Sequence, residues 1–229
     1  MKVAITQSNY IPWKGFFESV EMVDTLVLYD DMQYTKRDWR NRNLIKSPEG
    51  TKWLSIPVEV KGKYFQKINE TRISDPSWAR SHWMTLKHTY GKLPGFALYG
   101  SVFEELYSRE YEMLSEVNYA FTKAICDILG IKTPIRWSHE FDLPEGKTER
   151  LVSICRDLGA TEYYTGPAAK NYMDETLFDS NNITVHYYDY SGYPEYDQIY
   201  PPFTHGVSML DLLFCTGSDF RKYMKTLSR

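Results

Sequence analysis

The side chains best able to bind an anion or polarise a carbonyl group are concentrated in the part of the chain before Leu44. A first short apolar run leads into the loop QSNYIPWKG, residues 7–15. A loop that enters a helix can direct backbone N–H groups at an anion. Its amides could bond a ligand, its tryptophan could stack on a ring and its lysine could neutralise a phosphate. Asn9 is a catalytic candidate, and the substrate-binding candidates are Gln7, Tyr10, Trp13 and Lys14. A well-packed turn with a surface lysine is the alternative interpretation.

Two aspartates stand at the end of the second apolar run. Residues 25–29 (TLVLY) lead directly into Asp30 and Asp31, and Gln33 follows closely. Carboxylates at the C-terminal end of a parallel strand lie where open α/β sheets bind ligands. An aspartate there can hold a sugar hydroxyl, coordinate Mg²⁺ or act as a general base. Asp31 is therefore a catalytic candidate, and Asp30 and Gln33 are substrate-binding candidates. Strand alternation turns one aspartate inward and the other outward, and a capped turn is the alternative.

The segment KRDWRNRN places four cations and two amides around one tryptophan. Arginine recognises phosphate through two parallel hydrogen bonds, and a tryptophan can stack on a sugar or a planar ring. The substrate-binding candidates of this segment are Lys36, Arg37, Trp39, Arg40, Asn41, Arg42 and Asn43. Basic residues interleaved with an aromatic ring are also typical of nucleic-acid binding, and a solvated charged turn is a third interpretation. The acidic balance of the whole chain favours the diphosphate of a nucleotide-linked substrate.

Three further residues are candidates in the rest of the chain. His82 belongs to a predicted helix that could cover the site, and it could transfer a proton, although a structural role is the alternative. Ser208 marks a helix N-terminus that could bind an anion. Asp211 lies inside an apolar helix and needs a partner, for which we expect an arginine of residues 36–43. His82 and His88 do not share a helix face, and no metal site is predicted.

Composition limits the class of protein. The chain has 229 residues and a net charge of −3, so no global basic field recruits nucleic acid. Its three cysteines lack CxxC spacing, which argues against a disulfide framework or a zinc site. The N-terminus lacks the charged region and apolar core of a signal peptide. No apolar run approaches the ~20 residues of a membrane span. We expect a soluble, reduced, cytoplasmic protein.

Strands and helices are predicted to alternate along the chain. The predicted strands are Val3–Thr6, Thr25–Tyr29, Lys52–Val60, Gln66–Ile73, Ile131–Trp137 (short or at an edge), Glu162–Thr165 and Thr184–Tyr190. The predicted helices are Gly15–Val23, Pro76–Tyr90, Glu104–Leu129 (one or two helices), Thr148–Leu158, Asp174–Asp179, Ser208–Phe214 and Ser218–Leu227, and Pro94 is expected to end a helical region. This order favours an α/β, Rossmann-like fold with a mainly parallel sheet and flanking helices. Residues 1–229 are expected to form one domain, with a helical middle insertion near 76–130 as a possible cap.

The sequence resembles the WbqC-like protein family over nearly its whole length. The resemblance rests on QSNYIPWKGFF, LYDDMQYTKRDWRNRN, GTKWLSIPV, YYTGPAAKNYM and FTHGVSMLDLLFCTG. Ser8 and Cys215 stand where the family more often has Pro and Asn. The resemblance implies a bacterial protein of surface-polysaccharide, lipopolysaccharide or O-antigen gene clusters. It also implies a transferase that places an aminoacyl or other acyl group on the amine of a nucleotide-linked amino sugar.

In that picture each candidate receives a role. Arg37, Arg40 and Arg42 hold the diphosphate, and Trp13 or Trp39 stacks on a ring. Asp31 or His82 handles the amine proton, and Gln7, Asn9 or Asn43 binds the developing oxyanion. We expect no tightly bound cofactor, with a CoA or carrier-protein thioester as acyl donor. The opening loop, the two aspartates and residues 36–43 are expected to meet in one pocket at the strand C-termini.

Two alternatives remain open from the sequence. The first is a non-catalytic protein that recognises a sugar nucleotide or a carrier protein. The second is a Mg²⁺-dependent nucleotidyltransferase with its metal at Asp30 and Asp31, because the opening also resembles nucleotidyltransferase-like Rossmannoid enzymes. The HxGH-type signature of those enzymes is absent, and WKGF (residues 13–16) stands in its place.

Overall fold

A computed structural model of the chain describes residues 1–226. Its strands are β1 (Lys2–Thr6), β2 (Thr25–Leu28), β3 (Arg42–Ser47), β4 (Gly50–Ser55), β5 (Ile135–Trp137), β6 (Glu162–Thr165) and β7 (Thr184–Tyr187). Its α-helices are α1 (Lys14–Glu21), α2 (Trp78–Tyr90), α3 (Pro94–Ser108), α4 (Leu114–Leu129), α5 (Lys147–Asp157), α6 (Glu175–Asp179) and α7 (Met209–Thr216). Short 3₁₀ helices cover Ile68–Glu70, Ser138–Glu140, Pro167–Asn171 and Gly217–Tyr223.

The main sheet has five strands in the order β5-β2-β1-β6-β7, and every pair is parallel. The predicted α/β, Rossmann-like fold is confirmed. The chain first adds strands on one side of β1 and then, from β6 onward, on the other side. The strand order therefore reverses between β1 and β6, and open α/β sheets bind ligands at such a switch point, beyond the carboxyl ends of the strands.

The two faces of the sheet pack against different helices because successive strand residues point to opposite sides. Leu26 and Leu28 of β2 join a large core with α1, α4, α3 and α7. Val27 of β2 and Val3 of β1 join a smaller core with α5 and α6 on the other side. The carboxyl ends of β1 and β6 are therefore bordered by a different set of helices on each face of the sheet.

Several element predictions are corrected by the structure. Residues 42–55 form an antiparallel hairpin, β3–β4. The strand predicted over residues 52–60 therefore starts too late and extends beyond the end of β4 at Ser55, and β3 was not predicted. The predicted strand over residues 66–73 contains a 3₁₀ helix with isolated bridges beside it. Pro94 begins α3 instead of ending a helical region, because its fixed φ and missing N–H suit the first helical position. The helix predicted over residues 218–227 is a 3₁₀ helix in its first part, and Leu227 lies outside the described residues.

Other predictions are confirmed. The short strand near Pro134 lies at the edge of the sheet, as expected for a proline-limited strand. Ser208 is the N-cap of α7, where its hydroxyl accepts a hydrogen bond from the N–H of Leu210. The middle of the chain is helical, and α2, α3 and α4 lie between β4 and β5.

Candidate functional site

The loop between β1 and α1 divides its side chains between the interior and the strand-end cavities. Gln7, Asn9 and Trp13 line cavities beside the ends of β1 and β6. Ser8 and Tyr10 are buried in the protein. We call these two sets the cavity-facing and core-facing residues of the loop.

The core-facing Ser8 binds the first aspartate. Its N–H and its hydroxyl donate to the two carboxylate oxygens of Asp30 at 2.8 and 2.7 Å, and the Ser115 hydroxyl of α4 adds a bond of 2.7 Å. Asn118 of α4 donates to the Ser8 hydroxyl at 2.9 Å. Burial raises the pKa of Asp30 against the effect of these bonds. Asp30 is saturated by internal donors and connects β2, the loop and α4.

Asp31 turns the other way, as strand alternation predicts. It accepts hydrogen bonds from Ser138 at 2.5 Å and Asn69 at 3.3 Å, and Lys67 lies 3.4 Å away. Burial by itself would raise the pKa of Asp31, but the hydrogen bonds from Ser138 and Asn69 and the charge of Lys67 outweigh it and lower the pKa. The two aspartates therefore serve separate networks and do not converge on one ligand.

The core-facing Tyr10 reaches the predicted proton-transfer histidine. Its hydroxyl is hydrogen-bonded to Nδ1 of His82 at 2.9 Å and to the Tyr107 hydroxyl at 2.5 Å. Trp78 packs against both rings. Burial lowers the pKa of His82 to about 4. His82 is thus a neutral interior residue, and it lines neither strand-end cavity.

Two cavities adjoin the switch point and share its strand ends. Both are lined by Ile5 and Thr6 of β1 and by Thr165 and Gly166 at the end of β6. One lies on the α1 side of the sheet with a volume of about 370 Å³. The other lies on the α5 side with a volume of about 690 Å³. We call them the aromatic cavity and the basic cavity.

The aromatic cavity is walled by rings. Its aromatic lining residues are Trp13, Phe16, Trp39, Tyr164, Tyr188 and Tyr190, with Asn9 and Asn43 among the polar ones. The Trp13 ring meets that of Tyr190 edge-on at 5.3 Å. It also lies directly over Gly15, where any Cβ would overlap the indole. Such walls suit a sugar or base ring with an apolar face.

The basic cavity gathers cations around the same strand ends. Arg40, Lys147 and Arg150 line it together with Gln7 and the glycine that precedes α5. Lys147 is the first residue of α5, whose N-terminus has no side-chain cap, and such an N-terminus favours anions. The Arg40 guanidinium donates to the Asn9 side-chain oxygen and lies 3.6 Å from Asp38. This cavity has the charge and donors that a phosphate group requires.

The side chains of segment 36–43 therefore do not form one site. Trp39 and Asn43 line the aromatic cavity and Arg40 the basic cavity. Arg42 instead lies 4.0 Å over the Trp53 ring and donates to the Arg37 carbonyl. Asn41 donates to Ile56, and Lys36 and Arg37 are exposed. The expected diphosphate clamp of three neighbouring arginines is not assembled. Arg40 lies in the turn before β3 and lines the basic cavity, whereas Arg42 at the start of β3 packs on Trp53 and Arg37 is exposed.

Asn43 belongs to β3, and its side chain supports the β1–α1 loop. Its Nδ2 donates to the carbonyls of Tyr10 and Ile11 at 3.0 and 2.9 Å, and its oxygen accepts from the Leu44 N–H at 2.8 Å. Ile11 has a φ of 37°, which β-branched residues rarely adopt. Both N–H groups of Asn43 are occupied in holding this turn, so its amide has no donor left for an oxyanion.

Four other candidates lie apart from both cavities. Lys14 is buried and donates to the carbonyls of Pro194 and Tyr223, and burial lowers its pKa to about 8. Gln33 donates to the Tyr64 carbonyl at 2.8 Å. Ser208 is a buried helix cap. The fourth is Asp211, whose partner we predicted wrongly.

Asp211 is bound by neutral groups of the interior. Tyr90 and Tyr196 donate their hydroxyls to it at 2.7 Å each, and Gln198 donates at 2.9 Å. An arginine of residues 36–43 was expected in this position. Hydroxyl and amide donors satisfy a buried carboxylate without bringing a second charge out of water.

The site residues predicted from the sequence do not include Tyr164 of β6, Tyr188 and Tyr190 just after β7, or Lys147 and Arg150 of α5. Tyr164 lies within the predicted strand 162–165, and Tyr188 and Tyr190 alternate at the end of the predicted strand 184–190. This placement of aromatic residues at the ends of strands was the available signal. None of the lining residues described for the two cavities comes from α2, α3 or α4, so the helical middle does not cap them.

Within residues 1–226, no group of three or more His, Cys, Asp or Glu side chains is arranged to hold a metal ion. In the same part of the chain, no helix has the length and apolar character needed to cross a bilayer. Cys126, Cys155 and Cys215 are free thiols, and burial raises the pKa of Cys126 and Cys155 to about 12. We assign no nucleophilic role to these cysteines.

Comparison with known proteins places the chain in a family. A protein of Mycobacterium tuberculosis (strain ATCC 25618 / H37Rv), described as uncharacterized protein Rv1507c, is 46% identical over 225 residues, which cover 98% of this chain and 97% of that protein. No solved structure gives a significant match. The profile of the WbqC-like protein family matches residues 7–223. Because this match spans most of its length, the chain belongs to the WbqC-like protein family.

Proposed function

We propose that this protein is a transferase of bacterial surface-polysaccharide biosynthesis that acts on a nucleotide-linked amino sugar. The observation that carries the proposal is the pair of cavities at the switch point, one aromatic and one basic, which meet at the ends of β1 and β6. A nucleotide sugar combines rings with a diphosphate. Pockets of this size suit ligands of that class.

Binding divides along the two cavities. The diphosphate lies in the basic cavity, where Lys147, Arg150 and Arg40 neutralise it and the N-terminus of α5 adds its dipole. A sugar or base ring packs between the aromatic walls, with Trp13 as the principal surface. The amine to be modified lies near the shared strand ends, where Asn9 can reach it.

The proposed reaction is acyl or aminoacyl transfer to the sugar amine. The amine nitrogen attacks the acyl carbon of a CoA or carrier-protein thioester, and a C–N bond forms as the C–S bond breaks. The departing thiolate takes the proton that the amine loses. Removal of the amine from water in the cavity disfavours its ammonium form and so supplies the neutral amine. Asn9 accepts from Arg40 through its oxygen, which leaves its N–H groups to stabilise the oxyanion. No tightly bound cofactor takes part.

The Mg²⁺-dependent nucleotidyltransferase is less well supported. It required Asp30 and Asp31 at one ligand, whereas Asp30 is saturated by Ser8 and Ser115 and Asp31 faces Ser138. The non-catalytic alternative uses the same two cavities and differs only in the absence of turnover. A test must therefore separate binding from reaction.

The deciding experiment incubates the protein with a panel of nucleoside-diphosphate amino sugars and acyl-CoA donors and follows product mass. A sugar nucleotide that gains the acyl mass supports the transferase. At low substrate concentration Arg150→Ala should lower the rate of product formation by about one to two decades, whereas Arg37→Ala, at an exposed arginine outside both cavities, should leave it unchanged. Binding without any product would establish the non-catalytic alternative, and loss of product with EDTA would favour the metal-dependent one.

A further inference from the structure

A basic and aromatic surface adjoins the two cavities and extends beyond them. Between Gln33 and Lys67 the chain has nine Lys and Arg residues against three Asp and Glu, a net charge of +6 in a chain whose total is −3. Six of these nine cations are exposed: Lys36, Arg37, Lys52, Lys61, Lys63 and Lys67. Of the five exposed aromatic side chains among the described residues, four belong to this stretch: Trp39, Trp53, Tyr64 and Phe65. Exposed aromatic groups concentrated in a basic region indicate an interaction surface.

The most exposed part of this surface is a loop tip. Tyr64 and Phe65 are 72% and 82% exposed, the largest values among the exposed hydrophobic side chains that the structure describes. Lys61 and Lys63 precede them and Lys67 follows. We call these five residues the aromatic tip.

The aromatic tip is held in place by hydrogen bonds behind it. Gln33 donates to the Tyr64 carbonyl at 2.8 Å, and Gln66 donates to the Glu59 carbonyl at 2.7 Å. Gly62 has a φ of 75°, which lets the chain turn tightly before the rings. These bonds fix the backbone while both rings remain in solvent, so little order has to be gained on binding.

The tip is also anchored at the carboxyl edge of the sheet. The N–H groups of Ile68 and Asn69 donate to the carbonyls of Met32 and Asp30, just after β2, at 2.9 and 3.0 Å. The N–H of Tyr34 donates to the Gln66 carbonyl at 2.9 Å, so the exposed Lys36 and Arg37 continue from the same place. The tip and the two cavities therefore share one edge of the molecule.

We propose that the aromatic tip docks the protein on an anionic lipid bilayer. Tyr64 and Phe65 would enter the headgroup region, where amphipathic and aromatic side chains are stable, while the lysines bind lipid phosphates. Lys63 is paired with Glu59 and Lys67 with Asp31. Among the remaining cations of the surface, Lys61, Lys36 and Arg37 keep the local charge positive.

The ring geometry favours a bilayer over a nucleic acid or a protein. The rings of Tyr64 and Phe65 are perpendicular, with an interplanar angle of 90°, so successive bases of one strand cannot stack on both in the usual parallel manner. A protein partner would need a pocket shaped to a projecting pair of rings. A bilayer surface adapts to the projecting rings without a preformed pocket.

The test is sedimentation of the purified protein with phosphatidylcholine vesicles, with and without phosphatidylglycerol. We expect binding to the anionic vesicles, weakened by added salt. Tyr64→Ser with Phe65→Ser should lower the partition coefficient at least about tenfold. Lys61→Ala with Lys63→Ala should lower it roughly 25-fold, at about fivefold per lysine. The matched controls are Tyr172→Ser, an exposed tyrosine elsewhere, and Lys87→Ala with Lys92→Ala on the helical middle.

Three outcomes would overturn the proposal. One is equal binding to vesicles with and without the anionic lipid. Another is a Tyr64/Phe65 variant that binds as well as the Tyr172 control. The third is no vesicle binding by the folded wild type, whether or not it binds RNA or an acidic carrier protein. None of these outcomes bears on transferase activity toward soluble substrates, so this proposal and the proposed function fail independently.

Discussion

The core-facing and cavity-facing residues of the β1–α1 loop are neighbours in sequence and opposite in surroundings. Ser8 and Tyr10 meet Asp30 and His82 inside the protein. Asn9 and Trp13 meet open space beside the strand ends. A polar side chain at the end of a strand is therefore not by itself a ligand contact. The direction in which the backbone turns it decides whether it stabilises the fold or binds a substrate.

The largest expected effect is at the core-facing network. Asp30→Ala leaves three buried donors without an acceptor, namely the N–H and hydroxyl of Ser8 and the hydroxyl of Ser115. We expect the free energy of unfolding to fall by about 3–5 kcal/mol, measured by urea denaturation. Ser115→Ala removes one bond and should have about a third of that effect. If Asp31→Ala were as damaging as Asp30→Ala, the distinction between the two aspartates would be lost.

A second core-facing effect depends on pH. His82 has a folded-state pKa of about 4 against an ordinary value of 6.5. The unfolded chain therefore binds more protons between these pH values, and stability falls as the pH drops through that window. The contribution of His82 to this loss is at most about 3 kcal/mol. His82→Gln should flatten the slope of unfolding free energy against pH, and His88→Gln, an exposed residue of the same helix, should not. Identical slopes in both variants would contradict the assignment.

The local sequence was sufficient to predict β1 and β6, the two strands whose ends border both cavities. Residues 3–6 and 162–165 were predicted as strands because each is a short run of β-forming residues bounded by turn residues. Their partnership was not predictable, since the register of Ala4 with Tyr164 joins positions 160 residues apart. The switch point exists only through that pairing. For this reason Gly166 and the tyrosines beyond it were not recognised as site residues.

The arginines around Trp39 were placed in one site for a different reason. They were predicted to lie on one loop, and residues 36–41 do form a loop, but Arg42 begins β3. Pairing of β3 with β4 brings Arg42 onto Trp53, while Arg40 turns toward Asn9 and the basic cavity. These tertiary contacts, which separate Arg40 from Arg42, cannot be deduced from the local sequence. Strand alternation correctly predicted that Asp30 and Asp31 point in opposite directions. It could not predict the hydrogen-bond partners of either carboxylate.

On the cavity-facing side, the largest expected effect is on phosphate binding. Arg150→Ala should weaken binding of a nucleoside-diphosphate amino sugar by roughly 1.5–3 kcal/mol, about one to two decades. Arg150→Lys should recover part of it, because an ammonium cannot make the two-pronged contact. Calorimetric titration checks this, with Arg37→Ala as the matched control. Equal losses of affinity in both variants would remove the basic cavity from the binding site.

The smallest and most specific effect concerns Trp13. Trp13→Leu should weaken binding of the same ligand by about 1 kcal/mol, roughly fivefold, because one ring contact is lost. Affinity for inorganic pyrophosphate should not change, since that ligand needs only the basic cavity.

Gly15→Ala offers a second route to the same result, because its methyl group would overlap the indole and displace it without removing it. Trp53→Leu, on the hairpin, is the matched control. Calorimetry with both ligands separates the outcomes. If Trp13→Leu lowers pyrophosphate affinity as much as sugar-nucleotide affinity, the substitution disturbs the structure of the loop and does not simply remove a ring contact. The cavity-facing and core-facing residues would then form one structural unit.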